Sequence, residues 1–160
     1  MKHYIVAFDL NDPFVGASAN YLIKILPTAD TKFADTNQVE DWPDPDNNCT
    51  LWLIDHGSGR QFGDHNDPNR FLKENEKVKA VYKMATTVVL VSCSTADESQ
   101  IVSARGFQPA TFAKNLKDVD KKKTIVAAVG LVFASSTKGF IVPTELSAQR
   151  FASREGWITY

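Results

Sequence analysis

The chain has 160 residues, 43% of them hydrophobic and 23% charged, with a formal net charge of −1. That size and balance exclude a disordered chain and give one soluble globular domain with a real core. With almost no net field, neither nucleic acid nor a membrane surface is an expected partner, and no apolar run approaches the ~18 residues of a membrane span.

Met1-Lys2-His3-Tyr4 leads into a short apolar run that Asp9 interrupts, with no cleavage site behind it. No signal peptide is expected, and the expected compartment is the cytoplasm. Cys49 and Cys93 are too few for a disulfide framework and read as reduced thiols.

Tyr4 to Phe8 reads as a buried strand ending at the turn Asp9-Leu10-Asn11-Asp12-Pro13. Asp12 can cap a helix with Pro13 at its first position. Val15, Ala19, Leu22 and Leu26 share one face of that helix, and Pro27 ends it. A short second strand is expected over 30–35. Residues 35–48 carry five acids, two prolines and no Lys or Arg, which reads as a solvated acidic loop. The same loop is the candidate surface for a protein partner.

A strand over 50–55 ends in Asp55-His56-Gly57. Asp67-Pro68 then opens a helix that turns Phe71, Val78, Val81 and Tyr82 inward. The strand over 87–92 ends at Cys93, and 94–108 is a polar loop. An amphipathic helix over 111–121 puts Phe112, Leu116 and Val119 inside. Lys121-Lys122-Lys123 closes it as a solvated basic end. Further strands are expected over 124–129, 140–142 and 157–160. This alternation predicts an α/β domain, 1–160, with a mainly parallel sheet and helices on both faces.

In such a sheet ligands bind outside the carboxyl ends of the strands. His56 and Cys93 each follow such an end, 37 residues apart (93 − 56), enough for one crossover between neighbouring strands. A thiol with a free pKa of about 8.5 is activated by a nearby imidazole. Gly57, lacking a Cβ, lets a substrate carbonyl approach its N–H, and with the N–H of Cys93 it makes a candidate oxyanion hole. His56 and Cys93 are therefore the expected catalytic pair for acyl transfer.

The pattern apolar strand-His-Gly, then apolar strand-Cys, carried by Leu53-Ile54-Asp55-His56-Gly57 and Leu90-Val91-Ser92-Cys93-Ser94, resembles the caspase-like cysteine peptidases. These include caspases, legumains, gingipains, clostripain and the self-processing protease domains of bacterial toxins, and the chain is most similar to the toxin-type and bacterial effector members. The resemblance implies a three-layer caspase-like sandwich, a His-Cys dyad and a peptide or protein substrate. It also implies substrate contacts after the 124–129 strand, where Ser135, Ser136 and Thr137 are the candidates. Val-Ser-Cys-Ser-Thr replaces the caspase motif Gln-Ala-Cys-Arg-Gly, so aspartate specificity is not implied. Toxin-type members are switched on by inositol hexakisphosphate at a basic surface; Lys121 to Lys123 is the only basic cluster here.

No cofactor and no metal is expected. A metal-assisted hydrolase would draw on His56, His65, Asp64 and Asp67, whose spacing follows no ligand pattern. A silent caspase-like interaction module is the other alternative. Asp55 alternates to the opposite side of its strand from His56, which makes it a poor orienter of the imidazole. Asp9 resembles the acid of isochorismatase-type hydrolases, but no lysine is placed to accompany it.

Overall fold

Residues His3–Ala7 form the first strand, β1, because an aromatic and two β-branched residues sit in a run that a sheet can bury on both faces. In a computed structural model, which describes residues 2–26, 31–35, 47–93, 95, 111–128, 132–135, 139–141 and 157–160, Tyr4, Ile5, Val6 and Ala7 are all buried. Asp12 then caps α1 (Pro13–Ile25), its carboxylate accepting the Phe14 and Val15 N–H groups, each at 3.0 Å. Pro13 takes the position where its missing N–H costs nothing. Leu26 leaves the helix in an extended conformation, as a residue before proline must.

The remaining elements are β2 (Thr31–Asp35), β3 (Cys49–Ile54), α2 (Pro68–Glu74), α3 (Glu76–Met84), β4 (Ala85–Val91), α4 (Phe112–Val119), β5 (Thr124–Ala128), β6 (Phe133–Ser135), β7 (Gly139–Ile141) and β8 (Trp157–Thr159). The main sheet runs β2-β1-β3-β4-β5-β8. Its first five strands are parallel, and β8 joins antiparallel beside β5. β6 and β7 make a separate antiparallel hairpin, and α1 runs beside β6.

Period-two alternation splits the core. Val6, Leu53, Leu90 and Ala127 face α2, α3 and α4, where Phe71, Val81, Tyr82, Phe112 and Leu116 cover them. Ile5, Ile54, Val91 and Ala128 face the other way, against Val15, Ala19 and Leu22 of α1. Each fully buried Leu, Ile or Phe contributes roughly 1.5–3 kcal/mol. The expected α/β architecture, mainly parallel with helices on both faces, is the one observed. The chain winds from β1 to β2 in one direction and from β3 through β4 to β5 in the other. Right-handed crossovers therefore put α1 on one face and α2, α3 and α4 on the other, and the winding reverses between β1 and β3. No helix among the described residues is long and apolar enough to cross a membrane.

Four local expectations are corrected. The helix expected to run on from Pro68 breaks at Asn75 (φ −121°, ψ 68°), whose side chain and N–H both bond the Phe71 carbonyl, at 2.8 and 3.1 Å. Asparagine competes for its own helix carbonyls in this way. Val119, expected inside, is 36% exposed, because it is the last residue of α4 and lies past the turn that packs. The Lys121 to Lys123 cluster is not wholly solvated: Lys123 is buried, its Nζ donating to the carbonyls of Ala85 (2.7 Å) and Lys83 (3.2 Å), with Asp120 at 3.4 Å and the Tyr82 ring below. Finally, β6 appears where no strand was expected. The acidic stretch 36–46 and the loop 96–110 lie outside the described residues.

Candidate active site

Ile54 of β3 pairs with Val91 of β4, and the ladder reaches one step further through Asp55 N–H to the Val91 carbonyl at 3.4 Å. His56 and Cys93 are each two residues beyond that pair. Side chains two apart on a strand share a face, so His56 follows Ile54, and Cys93 follows Val91, onto the α1 face of the sheet. The Cys93 side chain packs against the cluster on that face. Both expected catalytic residues thus hang from the carboxyl ends of adjacent parallel strands, on the same side.

The same extrapolation carries Asp55 and Ser92 to the opposite face. Asp55 does not reach the imidazole. Its Oδ1 accepts the His56 N–H at 2.7 Å, and burial pushes its carboxyl above the ordinary range. The orienting group comes instead from α1: Asp12 Oδ2 meets His56 Nε2 at 2.9 Å. One carboxylate therefore does two jobs, capping α1 with Oδ1 and holding the imidazole with Oδ2. The hydrogen bond from His56, reinforced by the helix N–H groups, holds the Asp12 carboxyl below its usual value of 3.8. The Phe14 ring lies 5.5 Å from the imidazole and completes its seat. The His56 side chain is 60% exposed.

The Asp12–His56 contact spans the gap between β1 and β3, where the winding reverses. In doubly wound sheets that gap is where ligands enter. Asp12 was read from the sequence as a cap alone; the signal for its second role is its place after β1, the strand that pairs with β3.

Cys93 Sγ accepts the Val132 N–H at 3.4 Å, so Val132, on the segment that follows β5, reaches the thiol. Of the three residues proposed for substrate contact, Ser135 pairs with Gly139 in the β6–β7 hairpin; Ser136 and Thr137 lie outside the described residues.

Gly57 forms an isolated antiparallel bridge with Phe62, through Ser58 N–H to the Gln61 carbonyl and Gly63 N–H to the His56 carbonyl. In such a pair the central residue's own N–H points away from its partner, which leaves the Gly57 N–H directed out of this turn. The side of Gly57 where a Cβ would stand, however, is filled: that atom would fall 2.2 Å from Ser92 Oγ and 2.9 Å from Thr95 Cγ2. The glycine does not open space for substrate there, as its sequence context suggested. It lets the two loops meet. The first turn of α4 ties down both, its Phe112 N–H donating to the Gly59 carbonyl and its Ala113 N–H to that of Thr95.

A depression of about 300 Å³ beside the imidazole is lined by Asp55, His56, Gly57, Gln61, Gly63 and Asp64. His65 is not part of it. Its Nε2 meets Glu74 of α2 at 2.7 Å and its ring packs edge-on against Phe71, on the face away from α1. Among the described residues no three acidic, His or Cys side chains gather as a metal site would need.

Fold and site together describe an α/β protein with a thiol and a carboxylate-held imidazole at the carboxyl edge of its sheet. No protein-family model matches the chain, and no curated protein is similar to it.

Proposed function

We propose that this protein is a cysteine peptidase of caspase-like fold, acting on peptide or protein substrates. The observation that carries the reading is the matched placement of His56 and Cys93 on adjacent strand ends, with Asp12 bonded to the far nitrogen of the imidazole. Because Nε2 is committed to Asp12, proton exchange with the thiol falls to Nδ1. Cys93 gives its proton to His56, and the sulfur attacks the scissile carbonyl carbon. The Gly57 and Cys93 N–H groups receive the oxyanion. His56 returns the proton to the departing amine as the C–N bond breaks, and water then hydrolyses the thioester. Two free cysteines and a thiol nucleophile suit a reducing compartment, the cytoplasm.

Incubating the purified chain with a peptide library tests this. Cleavage is expected from the wild type and none from Cys93→Ala, which leaves the fold intact. A peptidyl electrophile directed at thiols should label Cys93 well ahead of the buried Cys49. Cleavage retained in Cys93→Ala, or equal slow labelling of both cysteines, refutes the proposal.

A further inference from the structure

We propose that Ser92 and Thr95 are positioning residues for the nucleophile, seating the Cys93 turn on the bare Cα of Gly57. The inference rests on the thiol–imidazole reading above and assigns work to residues that reading leaves idle.

Ser92 Oγ and Thr95 Oγ1 are both buried, and neither has a hydrogen-bond partner among the described residues. Burying an unpaired hydroxyl is unfavourable, so the two that flank Cys93 call for a reason. Both side chains press on Gly57, which directly follows His56. The hydrogen that stands in place of a Cβ at Gly57 faces the Ser92 oxygen, a contact of the weak C–H···O kind. Gly57 does not have a positive φ; among the described residues Gly63 is the glycine that does. Contact, rather than backbone conformation, therefore demands glycine at position 57. Gln61's carbonyl, 3.0 Å from the same point, closes the third side.

The consequence for the dyad is geometric. Cys93 lies in the chain between the two residues that grip Gly57, and His56 is the residue before it. Ser92 follows the opposite sheet face from Cys93, so its grip does not compete with the thiol for space. The α4 N–H bonds to Gly59 and Thr95 hold the two loops in the same relation from outside. A misplacement of about 1 Å is enough to spoil reactive geometry, and a methyl group at position 57 requires Ser92 Oγ, Thr95 Cγ2 or the Gln61 turn to shift.

The test is the rate at which iodoacetamide alkylates Cys93, followed site by site across pH. Alkylation forms no oxyanion, so an effect at Gly57 reads position and not N–H donation. Near pH 6 the wild type should react faster at Cys93 than an isolated thiol does, and His56→Ala should abolish that advantage. Gly57→Ala should slow alkylation at least ~10-fold near pH 6 and return the profile to that of an isolated thiol. Removing the nearest obstructing oxygen in Gly57→Ala/Ser92→Ala should restore part of the rate and shift the profile back towards the wild type, the Thr95 Cγ2 and Gln61 carbonyl contacts remaining. If Gly57→Ala yields no folded protein, the double variant should recover folding. A folded Gly57→Ala with wild-type rate and profile, or a double variant that recovers neither folding nor profile, overturns the inference. If instead His56→Ala leaves the wild-type profile unchanged, the dyad itself is refuted, and the two failures are distinguished.

Discussion

Asp12 and His56, 44 residues apart in the chain, meet at 2.9 Å across the reversal point of the sheet. The contact joins a helix cap to a proposed catalytic base, so the carboxylate is held by three donors. An imidazole fixed at Nε2 presents Nδ1 in one orientation; serine hydrolases use the same device with the nitrogens exchanged, a carboxylate on Nδ1 leaving Nε2 as the base.

Two substitutions separate the jobs of Asp12. Asp12→Ser keeps a capping oxygen and loses the partner of His56; Asp12→Ala loses both. Asp12→Ser should melt close to the wild type while peptide cleavage falls on the order of 10- to 100-fold. Asp12→Ala should lose stability as well. Thermal melts beside cleavage rates decide it, and equal activity in Asp12→Ser and wild type would remove Asp12 from the mechanism.

Asp12 and Asp55 pull stability in opposite directions with pH. Asp12 is held below 3.8 in the folded chain, so its contribution is present above that value and is lost as pH falls through the lowered one. Asp55 is raised above 3.8 by burial, so the fold favours its protonated form, and stability falls as pH rises from 3.8 through the raised value. Asp55→Asn should therefore raise the melting temperature near pH 7 and give no gain below 3.8. A pH series of melts on both proteins measures this.

Lys123 is a second buried charge, 5% exposed at its side chain. It bonds the Lys83 carbonyl in the last turn of α3 and the Ala85 carbonyl at the start of β4. Lys123→Met fits the same volume and removes both donated bonds. The loss should be roughly 1.5–3 kcal/mol, the range of hydrogen bonds to charged groups. Urea unfolding gives the number; a change within ~0.5 kcal/mol would mean that water replaces the ammonium.

Gly63 has φ +54°, and a Cβ on it would stand 2.4 Å from Asp55 Oδ2. Gly63→Ala meets both left-handed strain, about 1–2 kcal/mol, and a collision that pushes Asp55 off the His56 N–H. The melting temperature should fall and cleavage with it. Gly63→Ala/Asp55→Ala should recover part of the stability.

Much of this fold was legible because its signals are local. Asp12-Pro13 marks a helix start wherever it occurs, and Val88 to Val91 reads as a buried strand without knowledge of its neighbours. His56 and Cys93 were legible as strand-end residues, and one crossover sufficed to make them neighbours. What the sequence hid is long-range. Nothing near Asp12 says that its second oxygen faces position 56. Lys123 looks like any helix-end lysine until α3 and β4 deliver their carbonyls. Gly57 looked open because Ser92 and Thr95 approach it from another strand. The break at Asn75 was hidden for a different reason: the hydrophobic spacing of Phe71, Val78 and Val81 continues across it.

Asp12, His56 and Cys93 span 81 positions of the chain (93 − 12) yet follow β1, β3 and β4, three adjacent inner strands of the sheet. Fraying at the rims, where β2 and β8 lie, leaves those three untouched. Inner strands exchange their amides last, through the largest unfolding event. The arrangement of these three residues should therefore survive partial openings that start at an edge and be lost when the middle of the sheet gives way.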